Sequence, residues 1–121
     1  MSTTVVLGAQ WGDEGKGKVT DFFASTADFV VRFQGGNNAG HTIVVGDDKI
    51  ALSLTPSGVL YPDCTPVIGS GCVVDLGFLK EELKMLNKKN INTDKLVISP
   101  NAHVIMPYHK LLDELIEESL G

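Results

Sequence analysis

Residues 12–18 read GDEGKGK. Glycines let backbone N–H groups converge on an anion, and lysines add positive charge. Gly12, Asp13, Glu14, Gly15, Lys16, Gly17 and Lys18 satisfy the G-x-x-x-x-G-K part of a phosphate loop. The next residue is Val19, where the pattern wants a Ser or Thr hydroxyl that helps hold Mg²⁺. Thr20 comes one position late and is expected to point elsewhere on a helix. Asp13 is the anomaly. A carboxylate ~4 Å from a phosphate oxygen costs about 4 kcal/mol at an effective dielectric of about 20. A divalent cation between the two would reverse that sign. Alternatively Asp13 takes a proton from a second substrate, or simply caps the helix. The bland reading of the glycines is a tight turn, and of the lysines solvated surface charge. The two lysines and the preceding apolar run argue against a mere turn.

A second polar loop, QGGNNAGHT, spans residues 34–42. It carries Asn37, Asn38, His41 and Thr42 among three glycines. In α/β sheets, loops leaving strand ends border the ligand crevice. A lone loop histidine is more often a surface residue than a catalyst; the place of His41 after a glycine hinge, beside a second phosphate-type loop, brings the two readings level. His103 and His109 fall in no motif and read as structural or surface residues.

The elements that must position these loops follow from periodicity. Thr3–Leu7 is a β-branched apolar run, which predicts a buried strand. A helix is expected from about Gly15–Gly17 through Val19, Phe22 and Phe23 toward Ser25. Phe29–Phe33 predicts a second strand. Thr42–Val45 and Ile50–Leu54 flank Gly46-Asp47-Asp48-Lys49, a hairpin signal. Pro56-Ser57-Gly58 reads as a turn. Val67–Ile68 and Cys72–Val74 are strand-like, separated by Gly69-Ser70-Gly71. Leu76, Leu79, Leu83 and Leu86 have helical spacing behind Asp75 as N-cap. Leu96–Ser99 predicts a short strand. Pro107 opens a last helix with Leu111, Leu112, Leu115 and Ile116 on one face. The order predicts an α/β fold with a mixed, mostly parallel sheet and a phosphate-loop-like strand–loop–helix start.

The chain has 121 residues, 43% of them hydrophobic, which suits one domain. A formal charge of −5 argues against broad binding of nucleic acid or anionic membranes, so a phosphate must be held by local groups. No secretory signal or bilayer-spanning run is evident. Cys64 and Cys72 have no metal-ligand spacing and read as a reduced, cytosolic pair. Seven of the thirteen glycines lie between Gly8 and Gly40, so the chemistry is sought there.

QWGDEGKGK at 10–18, VVRFQGGNNAGHT at 30–42 and PSGVL at 56–60 resemble the amino-terminal part of adenylosuccinate synthetases. The resemblance implies residues 1–121 as the amino-terminal part of a single ligase domain. Such an enzyme joins inosine monophosphate (IMP) to L-aspartate at the expense of GTP, with Mg²⁺, in the first committed step of AMP synthesis from IMP. It also implies a cytoplasmic homodimer for the full-length protein. Asp13 and His41 are the implied catalytic pair. Asp13 removes the N1 proton of the hypoxanthine ring. The 6-oxygen then attacks the γ-phosphate of GTP to give 6-phosphoryl-IMP, and His41 donates a hydrogen bond or proton on the phosphate side. Residues 12–18 with Gly40, His41 and Thr42 are the implied GTP contacts. Asp13, Glu14, Gly15, Lys16, Asn38, Ala39, Gly40 and His41 are the implied IMP contacts. Asp13 and the Gly40 carbonyl are the implied Mg²⁺ ligands. The family's members are much longer, so the chain is expected to be a fragment and inactive alone. The competing expectations are another phosphate-loop kinase or NTPase, which Val19 opposes, and a nucleotide-binding module without ligase activity.

Overall fold

The structure is a computed structural model, and it describes residues 2–10 and 15–120. Asp75 illustrates how local chemistry sets its elements. Its Oδ1 accepts from the backbone N–H groups of Gly77 and Phe78 at 3.0 and 3.1 Å. It thereby ends strand β4 (Thr65–Asp75) and caps helix α2 (Leu76–Lys88), as the sequence predicts. The expected break at Gly69-Ser70-Gly71 is absent, because β4 runs through it as one eleven-residue strand. Its register against β1 (Phe29–Gly35) slips between Arg32 and Gln34. There the strands come so close that a Cβ on Gly71 would lie 2.3 Å from the Phe33 carbonyl oxygen. The glycines allow close strand contact and do not end the strand.

The main sheet is parallel. β4 lies between β1 and β5 (Val97–Ile98), and its far end also pairs with β6 (His103–Ile105). The antiparallel pairing sits in a separate ribbon of β2 (His41–Val45) and β3 (Asp48–Leu52), turned at Gly46-Asp47. The α/β class with a mostly parallel sheet is therefore as expected. Pro56-Ser57-Gly58 opens a short 3₁₀ helix, Ser57–Leu60.

The opening strand is a correction. Residues 3–7 join neither sheet, and Val5 and Leu7 are 66% and 67% exposed. An apolar β-branched run gains from ladder bonds and burial; here it has no ladder bonds to either sheet, and of its apolar side chains only Val6 is partly buried. Helix α1 (Lys16–Ala24) then begins as the loop pattern predicts.

Two apolar clusters meet on α2. One joins Ile43, Ile50, Leu52 and Val59 to Leu86; the other joins Leu54, Ile68, Cys72 and Val74 to Leu79. Leu83 packs against both. The inward face of α2 is thus 79, 82, 83 and 86. Leu76, expected on it, is exposed, and Glu82 is buried in its place. Helix α3 (Pro107–Leu120) buries no residue, so its expected apolar face of Leu111, Leu112, Leu115 and Ile116 is formed but exposed. It is tethered by Lys110, whose Nζ lies 2.5 Å from Asp75 Oδ2. Its first turn is fixed by His109, whose Nδ1 accepts the Met106 N–H at 3.0 Å, a structural role as expected.

Candidate functional site

The two glycine-rich loops meet where α1 touches the start of β2. Gly15 is the N-cap of α1 and has φ +79°, a left-handed conformation that glycine adopts without steric cost. Gly17 serves differently. A Cβ there would stand 2.9 Å from the Cβ of His41 and 3.1 Å from its Cγ and Cδ2. Gly17 therefore lets the imidazole sit directly against the first turn of the helix. That end of a helix presents N–H groups and partial positive charge.

His41 heads β2, opposite Leu52, and is half-buried. Its Nε2 is buried without a hydrogen-bond partner among the described residues. Burial first, and then the nearby Arg32 charge, push its pKa below the ordinary histidine value. The ring is accordingly neutral at pH 7, with one N–H donor to offer. An unpartnered buried nitrogen is costly unless something meets it.

An open cleft of about 770 Å³ runs along this junction. Lys16, Gly17, Asn38, Ala39, Gly40 and His41, all expected site residues, line it. Gly15, Lys18 and Thr42 do not; Lys18 is exposed, and Thr42 is exposed opposite Ala51 in the ribbon. Gly12, Asp13 and Glu14 lie outside the described residues. Among the described residues no three His, Cys, Asp or Glu side chains gather as a metal site.

The cleft also holds residues that sequence reasoning passed over. Thr20 lines it, contrary to the expectation that it points elsewhere. It stands one turn beyond Lys16, on the same side of α1, and its hydroxyl donates to the Lys16 carbonyl at 2.9 Å. Arg32, Thr55 and Ser57 line it too. Ser57 Oγ, like His41 Nε2, is a buried polar atom without a hydrogen-bond partner among the described residues. Arg32 had a signal, a lone charge inside the apolar strand FVVRF. Ser57 had none beyond its turn motif.

The model of the adenylosuccinate synthetase family matches residues 5–121. The chain belongs to the adenylosuccinate synthetase family. It is 62% identical over 121 residues to the adenylosuccinate synthetase of Heliobacterium modesticaldum and 60% identical to that of Streptomyces griseus. Each match covers 100% of this chain and 28% of the relative. The solved structure of fully ligated adenylosuccinate synthetase from Plasmodium falciparum superposes with a TM-score of 0.80 at 45% identity. That match covers 93% of this chain and 26% of the other. The chain thus spans little more than a quarter of the synthetases it resembles, and its cleft lies within the segment shared with them.

Proposed function

We propose that this chain is the amino-terminal segment of a GTP-dependent ligase domain that joins IMP to L-aspartate, giving adenylosuccinate, GDP and phosphate in purine biosynthesis. The observation that carries the reading is the contact of Gly17 with His41, which brings both motif loops to one cleft.

Chemistry at such a junction divides in two. A neutral lactam oxygen is a poor nucleophile, and removing the N1 proton of IMP puts charge on it. Asp13 is the base in this reading. The 6-oxygen attacks the γ-phosphate of GTP, the bond to GDP breaks, and aspartate's amine later displaces the phosphate from C6. Phosphoryl transfer otherwise needs positioning and charge stabilisation. Residues 12–18, with Lys16 and the α1 N-terminus, supply both to the GTP phosphates, together with Gly40, His41 and Thr42. Neutral His41 donates its hydrogen bond on the phosphate side. Glu14, Gly15, Asn38 and Ala39 belong to the IMP side.

In this reading the Asp13 carboxylate and the Gly40 carbonyl, both hard oxygen donors of the kind Mg²⁺ prefers, would hold the ion. When bound it would neutralise charge between Asp13 and the phosphates. The same reading makes the full-length protein a cytoplasmic homodimer, and no described helix is long and apolar enough to cross a membrane.

The test is GTP turnover by a full-length synthetase carrying this segment. Turnover is expected to require IMP, and Asp13→Ala is expected to lower it ~10²–10⁴-fold. Turnover near the wild-type rate in that variant would remove Asp13 from the base role.

A further inference from the structure

We infer that Glu82 and Arg32 are positioning residues that hold the second loop in place from behind. This rests on the reading of the cleft as a nucleotide site. Glu82 projects from α2 into the core and is 7% exposed. A carboxylate buried there is costly unless its oxygens are fully hydrogen-bonded. Three successive backbone N–H groups converge on it. Ser53 and Leu54 donate to Oε1, Leu54 also donates to Oε2 at 3.2 Å, and Thr55 donates to Oε2 at 2.8 Å. The Thr55 hydroxyl adds a fourth donor at 2.7 Å. Leu54 and Thr55 are fully buried, so without Glu82 their N–H groups would be stranded.

The effect passes outward through Ser53. With its N–H turned to Glu82, its carbonyl accepts from Arg32 Nη1. The same guanidinium donates through Nη2 to the Gly36 carbonyl at 2.6 Å and through Nε to that of Gln34 at 3.4 Å. Gly40 rests on the other side, where a Cβ would meet Ser53 Oγ at 2.8 Å and the Leu52 carbonyl oxygen at 3.3 Å. A continuous path therefore runs from α2 through residues 53–55 to Gln34, Gly36 and Gly40. These residues flank Asn38 and His41.

Two variants of a full-length synthetase carrying this segment test the inference. Glu82→Gln keeps the shape but turns an amide toward the donors, and Arg32→Lys cannot hold two carbonyls in one plane. Each is studied where circular dichroism shows it fully folded, and Arg32→Lys decides if Glu82→Gln does not fold. Small misplacements in a reacting site can reach 10²-fold in rate. We expect kcat to fall roughly 10- to 100-fold in both variants. The ¹⁵N-glycine resonances of Gly36 and Gly40 should shift in both as well. Wild-type kcat in a folded variant would overturn the inference. So would a Glu82→Gln spectrum perturbed at residues 53–55 but unmoved at Gly36 and Gly40. A wild-type protein without IMP-dependent turnover would instead sink the ligase reading, and the resonance shifts would still decide the positioning.

Discussion

Gly17→Ala separates a glycine needed for space from one needed for backbone conformation. Gly17 is the second residue of α1, where alanine should favour the helix by about 1 kcal/mol. Its added Cβ, however, would lie 2.9 Å from the His41 Cβ, which the backbone of β2 anchors. The ring cannot simply swing aside, so α1 or the start of β2 must shift. Overpacking of that kind costs about 1–3 kcal/mol. The net expectation is destabilisation of about 1 kcal/mol, a drop in Tm of roughly 3–6 °C for a chain of this size. Gly15→Ala is the control. At φ +79° it forces a left-handed alanine at a cost of about 1–2 kcal/mol, yet no described atom lies within 4 Å of the new Cβ. Both variants should melt earlier, but only Gly17→Ala should move the His41 ring resonances in an NMR spectrum. Thermal melts and histidine spectra of the two proteins provide the assay. A Gly17→Ala protein as stable as wild type, with His41 unmoved, would refute the packing argument.

Other outcomes follow from single groups. His41 should titrate by NMR with a midpoint below 6.5, because burial lowers its pKa. Its neutral form therefore supports the fold above about pH 6.5, and that contribution is lost as pH falls through the lowered value. Asp75→Ala removes the α2 cap and the Lys110 contact, and should cost about 0.5–2 kcal/mol in chemical denaturation. The hydrogen bond from Lys110, then that from Phe78, lowers the Asp75 pKa. The stability it adds is present above about pH 4 and lost below, as acid titration of wild type against the variant should record. Ser57→Ala deletes a buried hydroxyl that has no partner among the described residues and should raise stability by up to about 1 kcal/mol. A comparable loss in that melt would mean the hydroxyl has a partner.

Where local chemistry decides, the sequence was legible. Asp75 as a cap, the hairpin expected over 42–54 and formed by 41–52, and the helix opening after Gly15 all depend on neighbours in the chain. Where tertiary contact decides, it was not. Gly69 and Gly71 read as a break, but they lie where β4 crosses close to β1, so they preserve the strand. Thr3–Leu7 has strand-like composition but no partner in either sheet. The two-residue β5 and three-residue β6 depend on β4 for pairing; β6 carried too little periodicity to be read. The site divides the same way. The phosphate-loop pattern pointed to Lys16 and Gly17, the second polar loop raised His41, and the family resemblance added Asn38 and Gly40; all five line one cleft. Glu82 was hidden, because in the run Lys80-Glu81-Glu82 a carboxylate reads as solvated surface. Only the convergence of three backbone N–H groups explains its burial.

The central claim is that both motif loops serve one nucleotide cleft. A crystal structure of a full-length synthetase carrying this segment, grown with IMP, GTP and Mg²⁺, tests it most directly. Phosphate density is expected at the first turn of α1, within hydrogen-bonding reach of Lys16, with His41 on the γ-phosphate and IMP beside Asn38. Well-ordered nucleotides bound away from Lys16, Gly40 and His41 would contradict the account.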